Sequence, residues 1–188
     1  MAPSDISEKL AASPEILHRV DQITHLVDTC IQCGTCSASC PNLDFMDMTP
    51  RRMWRCLLAG RVEKVFASQT FTLCSSCYVC TLRCPRGLPL TEAMAGLKQA
   101  AFALKLDQFR RSRLFYTAFM ENIRQYGRVR EMEMMARYFM GLKNPLVPLG
   151  YASMGARLLK KNKLHPRLPA RGPGKLAHLF EQAHTQEH

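Results

Sequence analysis

Nine cysteines stand at positions 30, 33, 36, 40, 56, 74, 77, 80 and 84 of a 188-residue chain. Eight of them form two copies of one pattern. The first is Cys30-x2-Cys33-x2-Cys36-x3-Cys40 followed by Pro41, and the second is Cys74-x2-Cys77-x2-Cys80-x3-Cys84 followed by Pro85. Thiolates are soft ligands, suited to zinc and to iron–sulfur clusters. Two-residue gaps let one winding loop aim three sulfurs at a single object. A cubane needs that arrangement, and C-x2-C-x2-C-x3-C-P is the ligand run of [4Fe–4S] clusters. Zinc would favour C-x2-C pairs separated by a longer loop, often with His, and no third cysteine inside each run. Chance duplication of the whole pattern, proline included, is negligible.

The fourth cysteine of each run is expected to open a new helix, with Pro41 or Pro85 in a first turn where a missing N–H costs nothing. That turn carries the fourth sulfur away from its own loop. In two-cluster ferredoxins such a cysteine ligates the other cluster. The expected ligand sets are therefore Cys30, Cys33, Cys36 and Cys84 for one cluster, and Cys74, Cys77, Cys80 and Cys40 for the other. Two adjacent [4Fe–4S] clusters suit a relay of single electrons. Cys56 has no neighbour at motif spacing and sits in the apolar stretch Met53-Trp54-Arg55-Cys56-Leu57-Leu58, so it reads as a core thiol. Arg83 and Arg86 flank Cys84 and are candidates for raising the potential of its cluster, while Lys98 and the basic residues farther on are candidates for docking.

The elements that must position these cysteines read as helices. Ser13-Pro14 resembles a helix start, and Ile16, Leu17, Val20, Ile23 and Val27 recur at helical spacing up to the first run. Residues 1–13 read as loose. Between the runs, Thr49-Pro50 opens a helix carrying Met53, Leu57 and Leu58, Gly60 stops it, and a shorter helix begins near Val62. No alternating strand pattern occurs. Arg86-Gly87-Leu88-Pro89 is a turn, Thr91-Glu92 begins a helix to about Lys105, and a longer helical region covers about 107–141 with Gly127 as a break. Met132, Met134, Met135 and Met140 lie in it and read as an adaptable partner surface. Pro145, Pro148 and Gly150 interrupt the pattern, a short basic helix is expected over 151–162, and Pro166 to Gly174 reads as extended. His178, His184 and His188 lack a paired motif and read as solvated.

Charge is uneven. The whole chain is formally +11, but residues 1–100 hold 10 Lys/Arg against 9 Asp/Glu and residues 101–188 hold 16 against 6. A basic surface of that kind docks on acidic protein, nucleic acid or anionic lipid. The aromatic–basic stretch Phe109 to Tyr116 is more simply an amphipathic helix than a nucleic-acid reader, so no nucleic-acid partner is expected. No run nears the ~18–20 apolar residues of a membrane span. The N-terminus, with Asp5, Glu8 and Glu15, lacks a leader pattern, so the expected location is cytoplasmic, where structural disulfides are rare. No nucleophile–base pair, phosphate loop or dinucleotide fingerprint occurs, so no catalytic residue and no substrate site is expected. The expected organisation is an N-terminal segment over 1–19, a two-cluster helical domain over 20–106, and a basic helical docking arm and tail over 107–188.

Taken in order, the first run, Thr49-Pro50-Arg51, Cys74-Ser75-Ser76-Cys77-Tyr78-Val79-Cys80, Arg83-Cys84-Pro85-Arg86-Gly87 and then Tyr126-Gly127-Arg128-Val129-x-Glu131 resemble the C-type iron–sulfur subunits of heterodisulfide reductase and their bacterial relatives. The resemblance covers roughly residues 20–145. It implies an all-α, α-helical ferredoxin-like fold with two [4Fe–4S] clusters. It also implies a role passing electrons between an A-type flavoprotein, which bears flavin and clusters, and a B-type catalytic cluster protein. The assembly would be a hetero-oligomer, of which a dimer of heterotrimers is one form. In methanogens such complexes reduce the mixed disulfide of coenzymes M and B; in sulfur-oxidising bacteria their relatives are linked to sulfane-sulfur oxidation. The cysteine runs by themselves would also fit iron–sulfur subunits of succinate dehydrogenase or glycolate oxidase type, or a free ferredoxin-like carrier. The residues after Cys84 argue against the carrier, because a diffusing ferredoxin needs only a small domain around its clusters.

Overall fold

The computed structural model describes residues 3–142, 146–161, 163, 174 and 176–186. Its helices are α1 (Pro3–Ala11), α2 (Pro14–His25), α3 (Thr35–Ala38), α4 (Pro50–Leu58), α5 (Val62–Ala67), α6 (Thr70–Leu73), α7 (Val79–Leu82), α8 (Leu90–Ala103), α9 (Arg110–Tyr126), α10 (Glu131–Leu142), α11 (Leu146–Lys160) and α12 (Ala177–Gln186). No strand occurs among the described residues, and the fold is all-α. The chain divides into two compact units, residues 1–110 and 111–188.

In the first unit the core lies between α2 and α8. The two helices pack on each other, and Val20 and Ile23 of α2 and Ala93, Leu97 and Ala100 of α8 are all buried. The helices approach closely because Gly96 has no side chain; a Cβ there would lie 2.9 Å from Ile23 Cδ1. Thr49 caps α4 by accepting the Arg52 N–H at 3.3 Å, and Pro50 takes the first turn, as the spacing predicts. Met53, Trp54 and Leu57 then share one buried face. Phe71 packs edge-on to Phe66 and Phe109 at 5.9 and 5.1 Å between ring centres, filling the core ahead of the second run.

Three elements differ from the sequence reading. Residues 3–11 form α1, which packs Ile6 and Leu10 (0% and 5% exposed) against α5 and α2. Two apolar residues are too few to signal a helix alone, so tertiary burial supplies its stability. Neither Cys40 nor Cys84 opens a helix. A turn and the short 3-10 segment Leu43–Phe45 follow the first. A turn with left-handed Gly87 (φ +64°) follows the second, and α8 waits until Leu90. Third, α11 begins at Leu146 and runs through Pro148 and Gly150, since proline in a first turn forfeits no helical hydrogen bond.

In the second unit α9 and α10 form a hairpin. Gly127 (φ +71°) ends α9. Asn122, fully buried, accepts the Arg130 N–H at 2.6 Å, and the Arg130 guanidinium lies 4.3 Å from the centre of the Tyr126 ring. Glu133 pairs with Arg137 at 2.7 Å and Arg130 at 3.8 Å. The Tyr-Gly-Arg stretch thus braces a helix turn. The methionines divide: Met134 is buried, while Met132 and Met140 are exposed. Phe180 and Leu179 lie on α12, reached through Leu176, whose N–H donates to Arg124 O at 3.0 Å. His178 is exposed. Asn162 and the stretch from Pro166 to Pro173 lie outside the described residues, as do the side chains of His184 and His188.

Candidate cluster-binding site

The two cysteine runs fold alike. In the first, Gln32 (φ +57°) and Gly34 (φ +87°) turn left-handed on either side of Cys33; in the second, Ser76 (φ +54°) and Tyr78 (φ +62°) do so around Cys77. These reversals coil the loop so that successive cysteines point to its concave side. A four-residue helix follows each time, α3 or α7, at the same offset from the cysteines. The two helices pack on each other, and Arg83 Nη1 in one run donates to Ser39 Oγ in the other at 3.2 Å.

Two cavities result. One is lined by Cys30, Cys33, Cys36 and Cys84, with Arg51, Arg86, Leu88 and Leu90 among the other wall residues. The other is lined by Cys40, Cys74, Cys77 and Cys80, with Cys36 on the shared side and Tyr78, Thr91 and Met94 in the wall. Each cavity therefore gathers three cysteines of one run and the fourth of the other. Among the described residues no three His, Cys, Asp or Glu side chains converge tightly enough for a single metal ion. The sulfurs ring a void instead. An all-sulfur donor set around such a void fits an iron–sulfur cluster. Cys33 and Cys77, equivalent positions of the two runs, are exposed; Cys36 is buried.

The surroundings tune the thiols. The Thr35 hydroxyl, 3.4 Å from Cys33 Sγ, is the main cause holding that thiol below its ordinary pKa, with the Arg51 charge a smaller one. Burial pushes the Cys36 thiol up, and the neighbouring Cys30 and Cys80 add to it. Burial likewise raises Cys40, helped by Cys74, Cys77 and Cys80. Gln32 Nε2 donates to Cys30 Sγ at 3.5 Å, and Thr91 Oγ1 lies 3.7 Å from Cys80 Sγ.

Several positioning residues carry no motif signal. Asn42 Nδ2 donates to Leu73 O at 2.8 Å, joining the end of the first run to the start of the second. Asp47 accepts from Ser68 Oγ at 2.7 Å, from Thr70 Oγ1 at 3.0 Å and from the Gln69 N–H at 3.1 Å, fixing the approach to Cys74. Burial opposes its charge, yet these donors together hold the Asp47 carboxyl below the usual range. Lys98 Nζ donates to Cys74 O at 3.2 Å, so the residue singled out for docking is engaged inside the unit. Cys56 is half-buried against the core and lines neither cavity. Arg51 stands out in the sequence only as part of Thr49-Pro50-Arg51; nothing in its spacing announces a place beside Cys33.

Residues 29–89 match the family described as a 4Fe-4S dicluster domain. The chain is 33% identical over 97 residues to the iron-sulfur C subunit of the CoB–CoM heterodisulfide reductase of Methanopyrus kandleri, covering 52% of this chain and 50% of that one. It is 38% identical over 73 residues to the C subunit of the ferredoxin:CoB-CoM heterodisulfide reductase of Methanosarcina mazei, covering 39% and 45%. A third relative, the iron-sulfur C 2 subunit of the CoB–CoM heterodisulfide reductase of Methanocaldococcus jannaschii, is 35% identical over 81 residues, 43% of each chain. The chain spans about half the length of the curated relatives it matches. The chain carries two [4Fe–4S] clusters, and over about half of its length or less it is similar to C subunits of heterodisulfide reductase.

Proposed function

We propose that the chain is the electron-relay subunit of a heterodisulfide reductase-type complex, with one cluster held by Cys30, Cys33, Cys36 and Cys84 and the other by Cys74, Cys77, Cys80 and Cys40. The observation that carries this reading is the crossed lining of the two cavities. Each cluster would supply one-electron uptake and release. The protein's part is to hold, shield and connect. Leu88, Leu90 and Met94 exclude water from the walls. Cys36, shared by both linings, lies on the short path between the sites. Cys33 and Cys77 bring an edge of each site to the surface, beside the exposed Ile31 and Tyr78.

The partners proposed are an A-type flavoprotein and a B-type catalytic cluster protein, in the cytoplasm, with the sulfur chemistry done on the partners. Two features of the second unit support docking. Helix α11 exposes Leu146, Leu149, Tyr151 and Met154. No Asp or Glu occurs between Glu133 and Glu181, a span that carries Arg157, Lys160, Lys161 and Lys163. A helix apolar on most sides and too short to span a bilayer suits enclosure by a protein cleft.

Iron and acid-labile sulfide on anaerobically purified protein test the first claim, with EPR of the dithionite-reduced sample. About eight irons and eight sulfides per chain, with spin coupling between two reduced centres, is the expected result. About two zinc ions and no sulfide would overturn it. Purification from the native cell tests the second: the chain should emerge with a flavoprotein and a further cluster protein, and a monomer would refute the complex.

A further inference from the structure

The two cavities differ in charge. Arg51 and Arg86 stand in the wall of the first, whereas no charged residue lines the second, and neither wall carries a carboxylate. Arg51 lies beside the first loop at two points. Its backbone N–H donates to Ser37 Oγ at 2.9 Å, and its exposed side chain passes over Gly34, where a Cβ would meet Arg51 Cδ at 3.4 Å and a guanidinium nitrogen at 3.6 Å, ordinary contact distances. Lys98 reaches the second run only at the Cys74 carbonyl and stands outside the cavity wall. Arg83 lines neither cavity and is turned to Ser39. The polar donors lean the same way: Gln32 and Thr35 reach two sulfurs of the first set, Thr91 one of the second.

We propose that Arg51 and Arg86 make the first site the higher-potential member of the pair, so that an electron delivered to the chain settles at the Cys30, Cys33, Cys36 and Cys84 site. This rests on the ligand sets of the proposed function. Reduction adds one negative charge, and a guanidinium beside the site favours the more negative state, even from exposed positions such as those of Arg51 and Arg86, where solvent screens it in part. One electron leaves the reduced second site and reduces the first; no bond forms or breaks and no proton moves. Transfer from the second site to the first runs downhill. A partner that docks at Cys77 gives electrons, and one that docks at Cys33 receives them.

The test is an EPR-monitored redox titration of the full chain, with iron and sulfide measured on every sample. Two midpoints are expected. Arg51→Gln and Arg86→Gln should each lower the higher one by about tenfold in its equilibrium constant, about 59 mV for one electron, and leave the lower one in place. Arg51→Lys should restore the wild-type value, which a purely steric role would not. Lys98→Gln should leave the higher midpoint in place. Full cluster content with both midpoints unmoved, moved together, or with the lower one moved by Arg51→Gln would overturn the assignment. Should Arg51→Gln lose iron, Arg86→Gln decides alone. Wild-type protein far short of about eight irons would refute the ligand sets themselves.

Discussion

Tyr78 holds the left-handed backbone that Gly34 holds in the first run, at a cost of about 1–2 kcal/mol that glycine avoids. Half its surface is exposed, so the strain is not offset by burial of the ring. Cys-to-Ser replacement at any of the eight run positions should lose or convert one cluster, read as a fall in iron and sulfide from about eight of each. Cys56→Ser should leave both unchanged; a loss of iron there would reopen its role. Asp47 has a testable pH signature. Its folded-state carboxyl lies below the unfolded value, so its stabilisation is present above the unfolded pKa of about 3.9 and disappears as pH falls through the folded value. The thermal midpoint of wild type should therefore exceed that of Asp47→Asn at neutral pH, and the two should converge in acid.

Helices enter the argument through the faces they bring together. Gly96→Ala adds a methyl against Ile23, an overpacking cost of about 1–3 kcal/mol, set against about 1 kcal/mol of gained helix propensity. Because Ile23 is itself buried and cannot swing out, the net effect should be destabilising, and Ile23→Val in the same chain should recover much of it. A thermal melt of the single and double variants reads both. In the second unit, Asn122→Ala strips the Arg130 N–H of its acceptor, for about 1–3 kcal/mol. Hydrogen exchange should then quicken around 127–131, while the cluster signals stay as they were.

For the whole molecule, charge separation is the organising feature. With the eight thiolate ligands proposed above, two clusters, each a net charge of about −2, would turn the near-neutral first hundred residues acidic and leave the rest strongly basic. Such a chain suits a position between two partners. Replacing Arg157, Lys160, Lys161 and Lys163 together with Gln should weaken assembly several-fold and flatten its salt dependence, with cluster content intact. Unchanged assembly would show that the basic residues are only solvated.

The chemistry was legible in the sequence because ligand identity and spacing are local. Eight cysteines, two prolines and their repeat already specify two cubanes, and the 3.6-residue periodicity around Val20, Met53 and Leu97 already specifies helices. The crossed gathering of Cys40 with Cys74, Cys77 and Cys80 could be expected from the run alone. The turns that deliver those sulfurs could not, since Gly87 and the residues after Pro41 replace the helix that proline suggested. Only tertiary contact made α1 a helix, because its two apolar residues gain from α5 what they lack locally. Only tertiary contact set Arg51 beside Cys33 and Lys98 on the carbonyl of Cys74, residues 18 and 24 positions away in the chain. Charge acts through space, and its distance to a cluster is decided by how α4 and α8 pack, which no spacing rule records.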